Sequence, residues 1–330
     1  MTRRILLGDV GGTNARFAVL TNGALGAAAH MVVADYASFC DALAAFLAKQ
    51  PNPIRSAVFG VAGIVEGERC ALTNSPWVVE AAELNARFGL SDVRIVNDFE
   101  AVAWSLPKLA RQDLRQLGGG EPKAEAPMLV LGPGTGLGVA AYVPRGQLVL
   151  HSEGGHTTLP GGSPREDAVI AALRRQFGHV SAERVLSGHG LENLYRAVAA
   201  LDGVTPPSRS AAEITQAALA GNCPISGAAL DLFCALLGEV AGNFALSFCA
   251  QGGVFIAGGI VSHLADFLPR SQFRARFEAK GRMSAYVAPP KPTTRSSTRR
   301  TARMPPARSR LSRILGIGTW RPCVRIRTSC

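Results

Sequence analysis

The sequence predicts an α/β protein with mostly parallel sheets and two domains. Through residues 1–286, apolar runs that suit strands alternate with apolar residues at helical spacing. This alternation is typical of parallel sheets covered by helices. A strand, a turn containing Gly and Thr, and a second strand also occur twice, around Gly11 and around Gly134. The chain of 330 residues is long enough for two cores, and it holds two copies of this hairpin.

The first hairpin turn is suited to binding phosphate. Gly11 and Gly12 have no Cβ atoms, so backbone N–H groups can approach an anion closely. Thr13 and Asn14 add side-chain donors, and Asp9 places a carboxylate where a phosphate-bound Mg²⁺ could sit. The alternative is a hairpin in which the glycines only satisfy the geometry of the turn.

The other elements of the first half alternate between helix and strand. Apolar residues over 36–47 predict an amphipathic helix. The elements predicted after it are a strand at 56–62, a helix at 80–88, a strand at 93–96 and a helix at 99–106. Residues 110–126 are polar and contain three consecutive glycines, which predicts a loop where the chain crosses between domains.

The second glycine turn lies between predicted strands at 128–131 and 139–143. Gly134, Thr135 and Gly136 suit phosphate oxygens as the first turn does, so the two turns suggest a nucleotide triphosphate held from two sides. The sequence contains neither a P-loop nor a dinucleotide-binding fingerprint.

A third glycine pair ends the last predicted strand. Helices are predicted at 167–177, 190–201 and 230–248, and a strand follows at 253–257. Gly258 and Gly259 come directly after that strand, where an adenosine ring could lie against the backbone. The alternative is close packing between a helix and a strand.

Four more polar residues are candidates for binding or catalysis. Asp98 follows a predicted strand at the edge where open α/β sheets bind ligands. The alternative, which the spacing alone favours, is that Asp98 caps the helix beginning at Phe99. Glu153 and His156 lie in a glycine-flanked loop that could converge on a small ligand or simply be solvated. Glu183 would by default pair with a neighbouring base on a helix.

The net charge of +11 belongs to one end of the chain. Residues 287–330 carry eleven Lys and Arg and no acid, which leaves 24 basic and 24 acidic residues in the body. A neutral body predicts neither a nucleic-acid nor a membrane partner, and we find no apolar run of the roughly 18 residues that span a bilayer. Residues 289–310 are rich in Pro, Arg, Ser and Thr and predict disorder.

Cysteine usage predicts a reducing compartment. The seven cysteines show neither the spacing of a metal site nor the density of a disulfide framework. We therefore expect a cytoplasmic protein.

Taken together, the motifs resemble those of bacterial glucokinases, members of the actin-like hexokinase and heat-shock ATPase superfamily. The resemblance covers about residues 3–286 and rests on segments in family order at 8–16, 72–77, 96–101, 132–138, 153–156, 179–188, 253–260 and 273–282. The cysteine-rich zinc motif of the repressor-related sugar kinases is absent from the sequence.

The resemblance implies an α/β fold with two domains, the actin-like ATPase (ribonuclease H-like) fold, and a cleft between the domains. Residues 1–108 would form the small domain, with the first phosphate turn and the catalytic base. Residues 109–286 would form the large domain, with the second phosphate turn and the sugar and adenosine contacts. The oligomeric state is left open, with a homodimer as one option.

The implied activity is ATP-dependent phosphorylation of the 6-hydroxyl of glucose, with Mg²⁺. Asp98 would be the general base. Asn97, Glu153, His156 and Glu183 would bind the sugar hydroxyls, and Asn74 would help to line the pocket. The phosphates would be held by Gly11, Gly12, Thr13, Asn14, Gly134, Thr135 and Gly136. Asp9 would help to place Mg²⁺, and Gly258 and Gly259 would face the adenosine.

The tail at 287–330 departs from the family pattern. Here the family has a strand, a turn and a closing helix, whereas this sequence continues with Pro and Arg. One hypothesis is translation in a shifted reading frame, and the rival is a genuine basic tail that binds nucleic acid non-specifically. Loss of the closing elements would lower stability and activity.

Two other function classes stay open at this point. A sugar-sensing pseudo-kinase would bind glucose without turnover. A nucleic-acid binder would act through its basic tail, with binding that falls steeply as salt rises.

Overall fold

The computed structural model describes residues 3–118, 121–288 and 323–326. Residues up to Leu109 form one compact unit, here unit 1, and the described residues from Ala110 onward form unit 2. The predicted disorder at 289–310 lies outside the described residues.

Unit 1 is built on a six-stranded sheet with the order β3-β2-β1-β5-β9, and β4 pairs with β2. β1 is antiparallel to β2 and parallel to β5, which is parallel to β9. Its strands are β1 (Arg4–Val10), β2 (Asn14–Thr21), β3 (Ala24–Leu25), β4 (Ala29–Val32), β5 (Ser56–Val61), β6 (Gly63–Glu66), β7 (Arg69–Leu72), β8 (Val78–Glu80) and β9 (Asp92–Asn97). Its helices are α1 (Phe39–Leu47), α2 (Ala81–Phe88) and α3 (Asp98–Ser105).

The core of unit 1 is aromatic and lies between the sheet and α1. Phe17, Phe39 and Phe59 are fully buried, and the rings of Phe39 and Phe59 meet edge to face at 5.2 Å between centroids. Gly8 of β1 faces this cluster, because a Cβ there would collide with the Phe59 ring. The predicted hairpin, helices and strands of the first half are confirmed to within a few residues.

A small antiparallel sheet, β6-β7-β8, was not predicted. Gly63 begins it, and a Cβ there would collide with the carbonyl oxygen of Ala71. The sheet brings the segment that contains Asn74 next to the main sheet, since Thr73 N–H donates to the carbonyl of Ala62 at 3.2 Å.

Unit 2 is built on a second six-stranded sheet, with the order β10-β15-β14-β11-β12-β13. As in unit 1, one hairpin strand pairs in parallel with a later strand, here β11 with β14. Its strands are β10 (Leu114–Leu117), β11 (Met128–Pro133), β12 (Leu137–Val143), β13 (Leu148–Ser152), β14 (Gly253–Ile256) and β15 (Cys323–Ile326). Its helices are α4 (Pro164–Phe177), α5 (Gly188–Leu201), α6 (Ala211–Leu219), α7 (Pro224–Ser247), α8 (Gly259–His263), α9 (Phe273–Glu278) and α10 (Ser284–Val287).

Two strands of unit 2 contradict the sequence prediction. β10 lies within 110–126, where a loop was predicted. β15 lies within the tail, where no element was predicted, and it pairs with β10 and β14. Both have only four residues, Leu-Arg-Gln-Leu and Cys-Val-Arg-Ile, in which polar residues interrupt the apolar ones. Neither therefore forms the apolar run by which the other strands were predicted.

The central helix α7 is 24 residues long. Its most apolar window of 18 residues has a mean hydropathy of 1.5. By length and composition alone, this helix could cross a membrane, although Asp231 and Glu239 interrupt its apolar residues. However, 67% of that window is buried inside the protein. Phe233 and Leu237, for example, are fully buried in the core of unit 2.

A largely buried network of four charged side chains connects α4, α7 and the end of α9. Arg276 of α9 forms a two-pronged ion pair with Glu166 of α4, with N–O distances of 2.9 and 3.0 Å. Its Nη2 also lies 3.2 Å from Glu239 of α7, which Lys280 contacts at 2.6 Å. Each carboxylate therefore faces a cation.

Candidate active site

The first glycine turn is closed by its own backbone. Gly11 N–H donates to the carbonyl of Asn14 at 2.9 Å, so β1 and β2 form the predicted hairpin. The side chains of Thr13 and Asn14 are exposed and available to a ligand. Gly12 packs on Asn74, because a Cβ at Gly12 would lie 3.0 Å from Asn74 Cβ. The structure thus brings two segments that the sequence could not connect, the turn and Asn74, into contact.

Asp9 of the first hairpin is paired with Arg16, for which the sequence predicted no role. Arg16 Nη1 lies 2.8 Å from Asp9 Oδ2, and both side chains are partly exposed. The two residues are direct cross-strand partners, equally distant from the centre of the turn, so counting outward from the turn would have found the pair. A half-exposed carboxylate beside a phosphate-type turn fits the ligand chemistry of Mg²⁺.

Three strand ends meet at one edge of the unit 1 sheet. Val10 at the end of β1 is in register with Val61 of β5, and Val61 with Asn97 of β9. Adjacent strands are about 4.8 Å apart, so the first turn and the end of β9 lie within about 10 Å along this edge. This is the edge at which open α/β sheets bind ligands.

Asn97, and not Asp98, is the N-cap of α3. Asn97 Oδ1 accepts hydrogen bonds from the N–H groups of Phe99 at 2.9 Å and Glu100 at 3.3 Å. Its Nδ2 donates to the carbonyl of Gly63 at 3.1 Å. The alternative in which Asp98 supplies the cap is therefore wrong. The Asn97 amide keeps one N–H for a ligand.

Asp98 is the first residue of α3 and is partly exposed. Phe99 N–H donates to its Oδ1 at 2.8 Å, and the N-terminal end of a helix stabilises negative charge. The negative charge of Asp98 also affects the Cys70 thiol. Burial is the main cause that raises the pKa of this thiol to about 11, and the charge of Asp98 is the second. The backbone thus holds the Asp98 carboxylate at the ligand edge of the sheet.

Asn97→Ala is expected to destabilise unit 1 by about 1–2 kcal/mol, because the substitution removes the cap and the bond to Gly63. Asn97→Asp keeps the two accepted bonds, but it loses the donated one and sets a carboxylate oxygen against the carbonyl of Gly63, so it should recover only part of this stability. Calorimetric melting of both variants checks the prediction. Equal losses for Ala and Asp would contradict the capping role.

The second glycine turn, in unit 2, is also closed by a hydrogen bond within its own backbone. Gly134 N–H donates to the carbonyl of Gly136 at 2.8 Å, and Gly188 N–H of α5 donates to the carbonyl of Gly134 at 2.9 Å. A Cβ at Gly134 would meet nothing within 4 Å, so the turn is open on that side. The open side and the absent Cβ atoms suit an approaching phosphate.

Gly258 and Gly259 lie beside the second turn. Ala257 N–H donates to the carbonyl of Leu131 at 2.9 Å, which continues the β11–β14 pairing to the end of both strands. Gly258 has φ +98°, and a Cβ there would lie 2.6 Å from the carbonyl oxygen of Pro133. The residue must be glycine for both reasons. A Cβ at Gly259 would meet nothing within 4 Å.

Glu153, His156 and Glu183 lie together in unit 2. His156 Nε2 is 3.7 Å from Glu153 Oε2, and His156 Nδ1 is 4.0 Å from Glu183 Oε1. The loop between Glu153 and His156 needs its glycines because other chain segments pack on it. A Cβ at Gly154 would lie 2.8 Å from the Phe244 ring of α7. Two carboxylates and an imidazole offer the acceptors and donors that a ring of sugar hydroxyls requires.

Glu183 does not pair with a neighbouring base on a helix. It lies in a turn before α5, and its Oε2 accepts a hydrogen bond from Leu137 N–H at 2.9 Å. The neighbouring Arg184 instead covers the ring of Phe177 at 4.6 Å. The partner of Glu183 is 46 residues away, which sequence spacing cannot show.

Solved structures with this fold include several sugar kinases. A glucokinase from an Antarctic psychrotroph superposes with a TM-score of 0.78 at 32% identity, over 98% of this chain and 94% of that chain. A ROK-family glucokinase from Streptomyces griseus, solved with glucose and AMPPNP, gives 0.56 at 18% identity over 84% and 89%. The fold is the actin-like fold of the sugar kinases, as the sequence predicted.

Comparison with known sequences identifies the family within the sugar kinases. The family model described as Glucokinase matches residues 6–290. A glucokinase of Paramagnetospirillum magneticum is 47% identical over 296 residues, covering 87% of this chain and 92% of the relative. One from Escherichia coli O1:K1 is 42% identical over 291 residues, covering 87% and 91%. The chain belongs to the glucokinase family, which confirms the resemblance.

Proposed function

We propose that this chain transfers the γ-phosphoryl group of ATP to the 6-hydroxyl of glucose, giving glucose 6-phosphate and ADP. The match to the glucokinase family over residues 6–290 carries this conclusion. The glycine turns, one in each unit, supply the backbone geometry for the phosphates of ATP. ATP is thus the second substrate of an ATP-dependent hexose kinase.

Sugar recognition is assigned to residues of both units. In unit 2, Glu153, His156 and Glu183 form a group with alternating acceptors and donors. In unit 1, Asn97 offers its remaining N–H, and Asn74 lies against the first turn. A hexose of the wrong configuration would leave one of these groups unpaired, which costs about 1–3 kcal/mol.

Asp98 is assigned as the general base. Phosphoryl transfer passes through a loose transition state, so orientation and charge neutralisation contribute more than covalent chemistry. The Asp98 carboxylate would orient the 6-hydroxyl and accept its proton late in the transfer. The hydrogen bond from Phe99 N–H fixes one oxygen of this carboxylate.

The phosphate-binding residues are assigned from the two turns. Gly11, Gly12, Thr13 and Asn14 would hold phosphate oxygens from unit 1, and Gly134, Thr135 and Gly136 from unit 2. Gly258 and Gly259 would face the adenosine. Mg²⁺ bound with ATP supplies neutralisation of phosphate charge, and Asp9 is the residue that would help to place it.

Three wider assignments belong to the same proposal. The catalytic base is assigned to a small domain at 1–108, and the adenosine contacts to a large domain at 109–286. A cytoplasmic location is supported by the five cysteines within residues 3–118 and 121–288, which are all free thiols. The oligomeric state stays open, with a homodimer as one option. Binding of nucleic acid by the tail concerns residues that lie largely outside the described ones.

An assay that couples glucose 6-phosphate to NADPH formation tests the function directly. We expect turnover that requires both ATP and Mg²⁺, with glucose preferred over mannose and other hexoses. A rise in Tm with glucose but no product would instead support a sugar-sensing pseudo-kinase. Loss of salt-sensitive DNA binding on removal of residues 289–330, without kinase activity, would support the nucleic-acid binder.

A further inference from the structure

One carboxylate, that of Glu183, contacts both ligand-binding segments of unit 2. Its Oε2 accepts the N–H of Leu137, the residue that directly follows the second glycine turn, at 2.9 Å. Its Oε1 lies 4.0 Å from Nδ1 of His156. His156 belongs to the loop of residues 153–156, here called the sugar loop. The two oxygens of one side chain thus face two different loops.

The backbone around Glu183 leaves little freedom between these loops. Glu183 N–H donates to the carbonyl of Gly155 at 2.8 Å. A Cβ at Gly155 would collide with the carbonyl oxygen of Leu137, so the sugar loop packs directly on the start of β12. Gly188, five residues after Glu183, donates to the carbonyl of Gly134 on the other side of the turn. A shift of Glu183 must therefore move either the turn or the sugar loop.

We propose that Glu183 is a positioning residue that couples the sugar loop to the second phosphate turn, a role that rests on the proposed function. A sugar hydroxyl that donates to the Glu183 carboxylate fixes its position. The fixed carboxylate in turn fixes Leu137 N–H and the turn that precedes it. Linkage between two sites is reciprocal, so a change in the turn that displaces the Glu183 carboxylate must also change the affinity for sugar.

Two glycines of the same turn provide a matched pair of variants. A Cβ at Gly136 would collide with Oε2 of Glu183, whereas a Cβ at Gly134 would meet nothing within 4 Å. Neither glycine has a positive φ, so the backbone accepts alanine at both positions. Gly136→Ala displaces the carboxylate, and Gly134→Ala changes the turn without touching it.

The readout is glucose binding by calorimetry without nucleotide. We expect Gly136→Ala to weaken the Kd for glucose by roughly tenfold, and Gly134→Ala to change it by less than about twofold. Equal effects of the two substitutions would overturn the coupling. Absence of glucose binding and turnover in the wild-type protein would instead overturn the proposed function itself.

Variants of Glu183 test the same coupling from the other side. Glu183→Gln keeps an oxygen that can accept from Leu137 N–H but presents an amide N–H₂ toward His156. We expect it to weaken glucose binding and to leave the KM for ATP within about threefold. Glu183→Ala removes both contacts and should raise the KM for ATP by roughly tenfold. An unchanged KM for ATP in Glu183→Ala would overturn the proposal, even if Gly136→Ala failed to fold.

Discussion

Asp98→Ala is expected to lower kcat by about 10²-fold or more while changing the Kd for glucose far less. The methyl group can neither orient the 6-hydroxyl nor accept its proton. Most of the sugar contacts are assigned to other side chains, so binding should persist. The coupled assay gives kcat, and calorimetry gives the Kd.

Two further variants distinguish the loss of the base from a disturbance of the residues around it. Asp98→Asn preserves size and the bond from Phe99 N–H, and it should lose kcat as Asp98→Ala does. Glu100→Gln, in the same first turn of α3, keeps the oxygen that accepts from Trp104 Nε1. This control should stay within about twofold of the wild-type kcat. An Asp98→Ala enzyme with more than about a tenth of wild-type kcat would rule out the assignment.

Arg276→Ala is expected to cost about 3–5 kcal/mol of stability in unit 2. The substitution leaves the carboxylate of Glu166, only 5% exposed, without its cation, and a buried unpaired charge is strongly unfavourable. Gly162 N–H would be the one remaining bond described for that carboxylate. For a unit of this size the loss corresponds to a fall in Tm of roughly 6–20 °C.

An ion pair on α4, the helix that carries Glu166, provides the control. Arg165 of α4 pairs with Asp202 through two N–O contacts of 2.8 and 3.0 Å, but the Arg165 side chain is 52% exposed. Arg165→Ala should therefore cost less than about 1 kcal/mol. If scanning calorimetry gave the two variants the same Tm, burial would not be what makes the Arg276 network stabilising.

Local signals in the sequence predicted the hairpins and most of the long helices. Gly11 and Gly134 mark turns between apolar runs, and a turn is a property of a few neighbouring residues. The site residues were predicted from the resemblance to a family, because the spacing of residues alone does not identify their functional roles. Asp98 shows the difference, since spacing alone favoured it as a helix cap, a role that Asn97 performs in the structure.

The features that the sequence did not predict depend on distant partners. Glu183 accepts a hydrogen bond from Leu137, which lies 46 residues earlier in the chain. The β6-β7-β8 sheet depends on the close approach of Gly63 to Ala71. Hydrophobic periodicity reports how a segment is buried but not which segment covers it. Arg16 is an intermediate case, because the hairpin register would have shown its pairing with Asp9.

The pairing order of the two sheets has a consequence for how the chain folds. In unit 1, β1, β5 and β9 are separated by short segments, so the sheet is complete within the first hundred residues. In unit 2, β11 meets its parallel partner β14 only after roughly 125 further residues. Closing longer loops costs more entropy and slows folding. During synthesis, unit 1 can therefore assemble while β11 still has an unpaired apolar edge, and this interval is when the chain is most exposed to aggregation.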